Sequence, residues 1–209
     1  MSDVMAEGAA PHRVWQRLPQ GWIEFTAFGD RTPDEWLEWY LTSAEGWMPD
    51  EARSAIIDGF RSGVAAFGGS AFDFAGVMIT PGDRPAVTFL CTNAVLATQG
   101  RGEASEFHRF FPLARFGQDS VAETFTAPDG RVGTVSSGVQ NVGGSDVVIS
   151  VGEMRLVGDA GSVMVMGVCS DPERRAELAL QTAFALLTTH VLPEGVEPPD
   201  LSDAQTHSA

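Results

Sequence analysis

The chain contains no lysine: all 13 of its basic residues are arginine, against 28 acidic ones. Any mechanism that needs a lysine amine, such as Schiff-base chemistry, is thereby excluded. The resulting net charge of −15 argues against a nucleic-acid or anionic-membrane surface, because both need clustered basic side chains. Cysteine is almost absent. Cys91 and Cys169 both fall in stretches that read as strands, so buried free thiols are expected, with no disulfide and no metal. No two histidines have metal-ligand spacing, and no Cys-x-x-Cys occurs. A Walker loop, a Gly-x-Gly-x-x-Gly and a Gly-x-Ser-x-Gly elbow are also missing, so neither a phosphate cradle nor a serine nucleophile is signalled and no cofactor is expected. No stretch has membrane-spanning length. The start, Met1-Ser-Asp-Val-Met-Ala-Glu-Gly, lacks a basic-then-apolar run, so no secretory signal and a cytoplasmic location are expected.

What is present is an ordinary globular composition. Of 209 residues, 44% are hydrophobic and 20% charged, enough to bury a core without disulfides or metal. The strongest pattern runs from Asp146 to Leu192. It reads as a strand over Val147–Val157, a Gly158-Asp159-Ala160-Gly161 turn, a strand over Ser162–Cys169 and a helix from Pro172 to Leu192. Both strands carry apolar residues on both faces, as strands covered on two sides do. Asp171 caps the helix with Pro172 at its first position; shifted by one, Ser170 and Glu173 form a capping box. Ala176, Leu180, Phe184, Leu187 and Val191 step along one helical face, and Pro193 stops the helix. His190 then sits in the last turn, where a cation complements the helix dipole.

Upstream, Val14–Leu18 and Gly21–Thr26 read as a hairpin around Pro19-Gln20-Gly21, pinned by Trp15 and Trp22. Thr32-Pro33-Asp34-Glu35 starts a helix striped by Trp36, Leu37, Tyr40 and Leu41. Pro49-Asp50-Glu51 starts another, with Ala52, Ile56, Phe60 and Val64 on its face. Gly59 and Gly63 weaken that helix and permit a close neighbour. Two further hairpins follow, Ser70–Thr80 with Ala86–Ala97, and Ser120–Ala127 with Arg131–Val142. Residues 1–12 and the acidic 194–209 are expected to be disordered tails around a single domain, 13–193. The fold class is α+β: an antiparallel sheet of about six to eight strands flanked by helices, the last of them long.

Between the hairpins, Gln99–Gln118 is irregular, with a short helix at Glu103–Phe111. It holds the one concentration of reactive side chains among aromatics: Glu106, His108, Arg109 and Arg115, with Phe107, Phe110, Phe111 and Phe116. Such a group could hold an anionic ligand or an acidic partner segment; the alternative is a short amphipathic helix docked on the core. Glu24, Asp73, Glu123 and Glu153 lie on strands and are expected to face water.

The order of elements carries a resemblance. A Leu18-Pro19-Gln20-Gly21-Trp22 hairpin, a run of antiparallel strands, and a last strand leading through Ser170-Asp171-Pro172-Glu173 into a long helix resemble the Mog1/PsbP-like fold and small actinobacterial proteins of that layout. The resemblance implies a meandering sheet sandwiched by helices, and accessory or binding proteins in place of enzymes; it transfers no functional residue. The function expected is a non-enzymatic cytoplasmic adaptor with another protein as its partner. The alternative is a small-ligand binder or enzyme with an aromatic-lined pocket at His108.

Overall fold

A computed structural model describes residues 12–17, 22–24, 31–43, 50–67, 72–80, 85–96, 120–142, 144–156, 161–193 and 195–196. The elements are β1 (His12–Trp15), β2 (Ile23–Glu24), α1 (Pro33–Ser43), α2 (Asp50–Phe67), β3 (Phe74–Thr80), β4 (Ala86–Leu96), β5 (Val121–Thr126), β6 (Val132–Val142), β7 (Ser145–Arg155), β8 (Gly161–Cys169), a 3-10 turn (Pro172–Arg174), α3 (Arg175–Thr188) and β9 (His190–Pro193). The main sheet is wholly antiparallel, in the order β2-β3-β4-β8-β7-β6-β5; β1 and β9 form a separate ribbon. This is the α+β class with an antiparallel sheet and a long closing helix that the sequence predicts.

Side-chain alternation divides the core in two. Val77, Ile79, Val87 and Phe89 point to one face and pack with Trp36, Leu37, Ile56 and Phe60 of α1 and α2. Leu90, Val165, Val163, Met154 and Val135 point to the other and pack with Ala185 and Leu186 of α3. Strands β4, β7 and β8 are therefore apolar on both faces because helices lie on both sides of the sheet. The second glycine of α2 earns its place by approach. A Cβ on Gly63 would stand 1.8 Å from the Phe89 ring, so the helix could not seat here with any side chain.

The Thr32 capping box forms as expected: the Glu35 carboxylate accepts the Thr32 N–H at 2.7 Å and its hydroxyl at 2.9 Å. Those two bonds hold the Glu35 pKa below the ordinary carboxylate value. At the second helix start the cap is Asp171, whose carboxylate accepts the Glu173 N–H at 3.0 Å. Ser170 does not join a capping box; its hydroxyl accepts the Val87 N–H at 3.0 Å and ties the helix start to β4.

Three expectations are corrected. The N-terminal hairpin does not form: β1 pairs with β9 across the length of the chain, and β2 pairs with β3. Short alternating runs reveal a strand but not its partner, and here Trp22 is drawn into the main core beside Phe74 and Leu90. The closing helix ends at Thr188, not Leu192. The hydroxyls of Thr188 and Thr189 donate back to Phe184 O and Ala185 O, at 2.9 and 2.6 Å, and β-branched residues then favour the extended strand β9. His190 consequently belongs to β9, opposite Trp15.

The third correction concerns which face of α3 is buried. Leu178, Thr182, Ala185 and Leu186 face the sheet, whereas Leu180 is 71% and Phe184 36% exposed. Thr182 belongs on the buried face because its hydroxyl donates to Leu178 O at 2.9 Å. Helix and sheet approach closely there: a Cβ on Gly152 would lie 2.5 Å from Leu186 Cδ1, and one on Gly167 2.7 Å from Leu178 Cδ1. Residues 1–11, 97–119, 194 and 197–209 lie outside the described set, and with them most of the expected tails.

Candidate functional site

Concavities in the described surface border β5 and its hairpin. The first, about 660 Å³, is lined by Asp129, Gly130, Arg131, Val132, Thr134, Glu153, Arg155 and Leu156. Thr134 and Glu153 are cross-strand partners, on the sheet face opposite α3. The lining is polar, and two of its charges, Asp129 and Arg131, serve structure. Arg131 is buried: its Nε donates to Asp129 at 2.6 Å, one terminal nitrogen to Thr189 O at 2.9 Å and the other to Leu187 O at 3.1 Å. A guanidinium from the β5–β6 turn thus caps the C-terminus of α3, where carbonyls lack helical partners. Burial alone would raise the Asp129 pKa, but the bonds from Arg131 and its charge outweigh this and lower it. Among the described residues of this lining, Thr134 carries the one hydroxyl, and no His or Cys stands with it.

His190 borders the same network. Its ring lies 5.9 Å from that of Trp15. Burial, reinforced by the Arg131 charge and opposed by Asp129, pulls its pKa below the ordinary value. Nε2 of His190 is buried without a hydrogen-bond partner, as are Gln16 Nε2, Trp22 Nε1 and Ser150 Oγ. Cys91 and Cys169 are buried free thiols, as expected. Burial raises both thiol pKa values, so neither supplies a thiolate nucleophile.

The second concavity is a groove of about 570 Å³ between α3 and the β5–β6 edge. One wall is Ala176, Ala179, Leu180, Ala183 and Leu187; the floor is Val121, Phe125, Val135 and Ser137; Glu123 and Arg175 are its charged members. Of the residues that step along the helix in sequence, Ala176 and Leu180 therefore line this groove, and Leu187 stands both on its wall and against the core. Helix α3 is apolar on two faces, one against the sheet and one against solvent. A helix apolar round most of its girth is normally covered on all those sides. What the groove offers is apolar area beside a sheet edge, which suits a polypeptide.

The candidate residues Glu106, His108, Arg109 and Arg115 lie outside the described residues. Asp73 and Glu123 are exposed, as expected of strand carboxylates; Asp73 accepts the Ala94 N–H at 2.6 Å. Sequence reasoning placed the groove's helical residues in the core. The signal that could have found it is the excess of apolar positions on α3 over what one face can bury.

No family model and no curated protein matches the sequence. Among solved structures, the chain is similar to LpqN, described as involved in cell envelope biogenesis of Mycobacterium tuberculosis. The identity is 11%, over 90% of this chain and 88% of that one, with a TM-score of 0.44.

Proposed function

We propose that the chain is a non-enzymatic accessory or adaptor protein, cytoplasmic in location, that holds a polypeptide in the groove between α3 and β5. The observation that carries this reading is the second apolar face of α3, with Leu180 71% exposed at the groove wall. Leaving such a side chain in water forfeits about 1.5–3 kcal/mol of burial, a loss that a partner recovers. The absence of nucleophile or cofactor motifs in the sequence supports the same reading.

The test is affinity capture from native extract followed by mass spectrometry, with wild type, Leu180→Asp and a control, Val142→Asp. Val142 is also exposed, at 56%, but lies outside the groove lining. Leu180→Asp is expected to lose the partner and Val142→Asp to keep it. Equal capture by both sinks the reading. The pair Arg109→Glu with Arg115→Glu reports on the sequence-derived loop in the same assay: loss there, with Leu180→Asp unaffected, moves the interface to that loop.

A further inference from the structure

We infer that the groove is half of a larger cleft, completed when β5 pairs antiparallel with β5 of a second copy of the chain across a two-fold axis. The first ground is the state of the edge. Among the described residues β5 is the last strand of the sheet, and its side chains are exposed apart from Phe125. Of the devices that blunt exposed edges, β5 carries no proline, lysine or bulge, and its one charge is Glu123.

The hydrogen-bond ladder shows which groups are available. Ala127 N–H donates to Arg131 O at 2.8 Å, and the register continues inward as Phe125 opposite Gly133 and Glu123 opposite Val135. Antiparallel ladders alternate, so Val121, Glu123 and Phe125 spend their backbone groups on β6. The N–H and C=O groups of Ala122, Thr124 and Thr126 point outward, and no described residue bonds to them.

Those three residues select one register. With Thr124 opposite its own copy, Ala122 meets the other copy's Thr126 and all three outward residues find hydrogen-bonded partners. A shift by two either way engages two of the three. One of those shifts also sets Glu123 directly against its own copy, and like charges opposite each other repel. In the favoured register Glu123 instead meets Phe125 of the second copy, on the α3 side.

The two helices then rise from the same face of one continuous sheet. Helix α3 contacts β6, β7 and β8, so five strand spacings separate the two helices, roughly 24 Å. Between them lies an apolar-walled cleft, floored by both β5 strands, with room for one further helix of about 10–12 Å diameter. What fills it rests on the proposed function; the dimer itself does not. Each copy brings a charge of −15, so association should tighten as salt screens the repulsion.

Sedimentation of the full chain tests this. Wild type should run at twice 22.3 kDa, and Thr124→Pro at 22.3 kDa with unchanged circular dichroism, because an edge proline on an outward N–H spares the β6 ladder. Should Thr124→Pro fail to fold, Thr124→Cys decides: opposed residues about 5.5 Å apart are within disulfide reach. Mild oxidation should therefore give a covalent dimer with Thr124→Cys and none with Ala122→Cys. A monomeric wild type, a dimer that survives Thr124→Pro, or equal cross-linking by the two cysteine variants overturns the inference. A monomeric wild type that still loses its partner through Leu180→Asp would leave the proposed function standing and remove the dimer alone.

Discussion

Arg131 is the residue on which two parts of the molecule depend. It sits in the β5–β6 hairpin, yet it bonds the last carbonyls of α3 and the turn carboxylate Asp129. Replacing it with Met keeps the volume but leaves buried carbonyls unpaired. The expected cost is about 2–4 kcal/mol, read from urea unfolding; a change within the error of the measurement would show that the cap is ornamental. His190, beside it, gives a pH prediction whose sign follows from its lowered pKa. In the unfolded chain His190 takes up its proton near pH 6.5, in the folded chain only at lower pH. Its contribution to stability is therefore complete above that value and is lost as pH falls through it. The melting temperature of wild type should drop more than that of His190→Gln between about pH 7 and about pH 5; identical slopes would refute the assignment.

Among the elements, α3 shows how far sequence reading reaches. Its start was legible because Asp171 and Pro172 obey local rules, and so do Thr32 and Glu35 at α1. Its end was not, because Thr188 and Thr189 terminate it through hydroxyl bonds before Pro193 can. The buried face was misjudged for a similar reason: Thr182 counts as polar in a pattern, while the exposed Leu180 and Phe184 continue a cleaner apolar stripe than the residues that reach the sheet. Glycines at 152 and 167, silent in any hydrophobic pattern, decide where the helix can sit. Strand existence was legible for β3 to β8 from alternation and turn residues. The β1–β9 pairing was not, since nothing local couples His12–Trp15 to His190–Pro193. The groove went unseen because it is defined by the assignment that failed. The helix phase is testable by a pair of substitutions. Leu186→Ala, wholly buried, should cost about 2–5 kcal/mol, and Leu180→Ala no more than about 0.5 kcal/mol. The reverse order would restore the sequence-derived face.

At the scale of the whole molecule, the chain closes on itself at both ends of its order. β9 returns to pair with β1, the Thr188 hydroxyl shares its one proton between Phe184 O and Arg17 O, at 2.9 and 3.0 Å, and Thr92 donates to Gln16 at 2.7 Å. α3 covers β6, β7 and β8, which are the centre and one flank of the sheet. Without the segment after Cys169, that face of the sheet would expose Val135, Met154, Val163 and Val165 together, all buried here. Burial of such side chains contributes about 1.5–3 kcal/mol each, and the sum is comparable with the entire net stability of a domain, about 5–15 kcal/mol. A chain truncated after Cys169 is therefore expected to show no cooperative thermal transition by calorimetry. The helices α1 and α2 on the opposite face cannot compensate, because they bury a separate set of side chains across the sheet. If the truncated chain still melts cooperatively near the wild-type temperature, then the α1–α2 half is a self-sufficient unit, and α3 is an accessory layer whose apolar faces both serve binding.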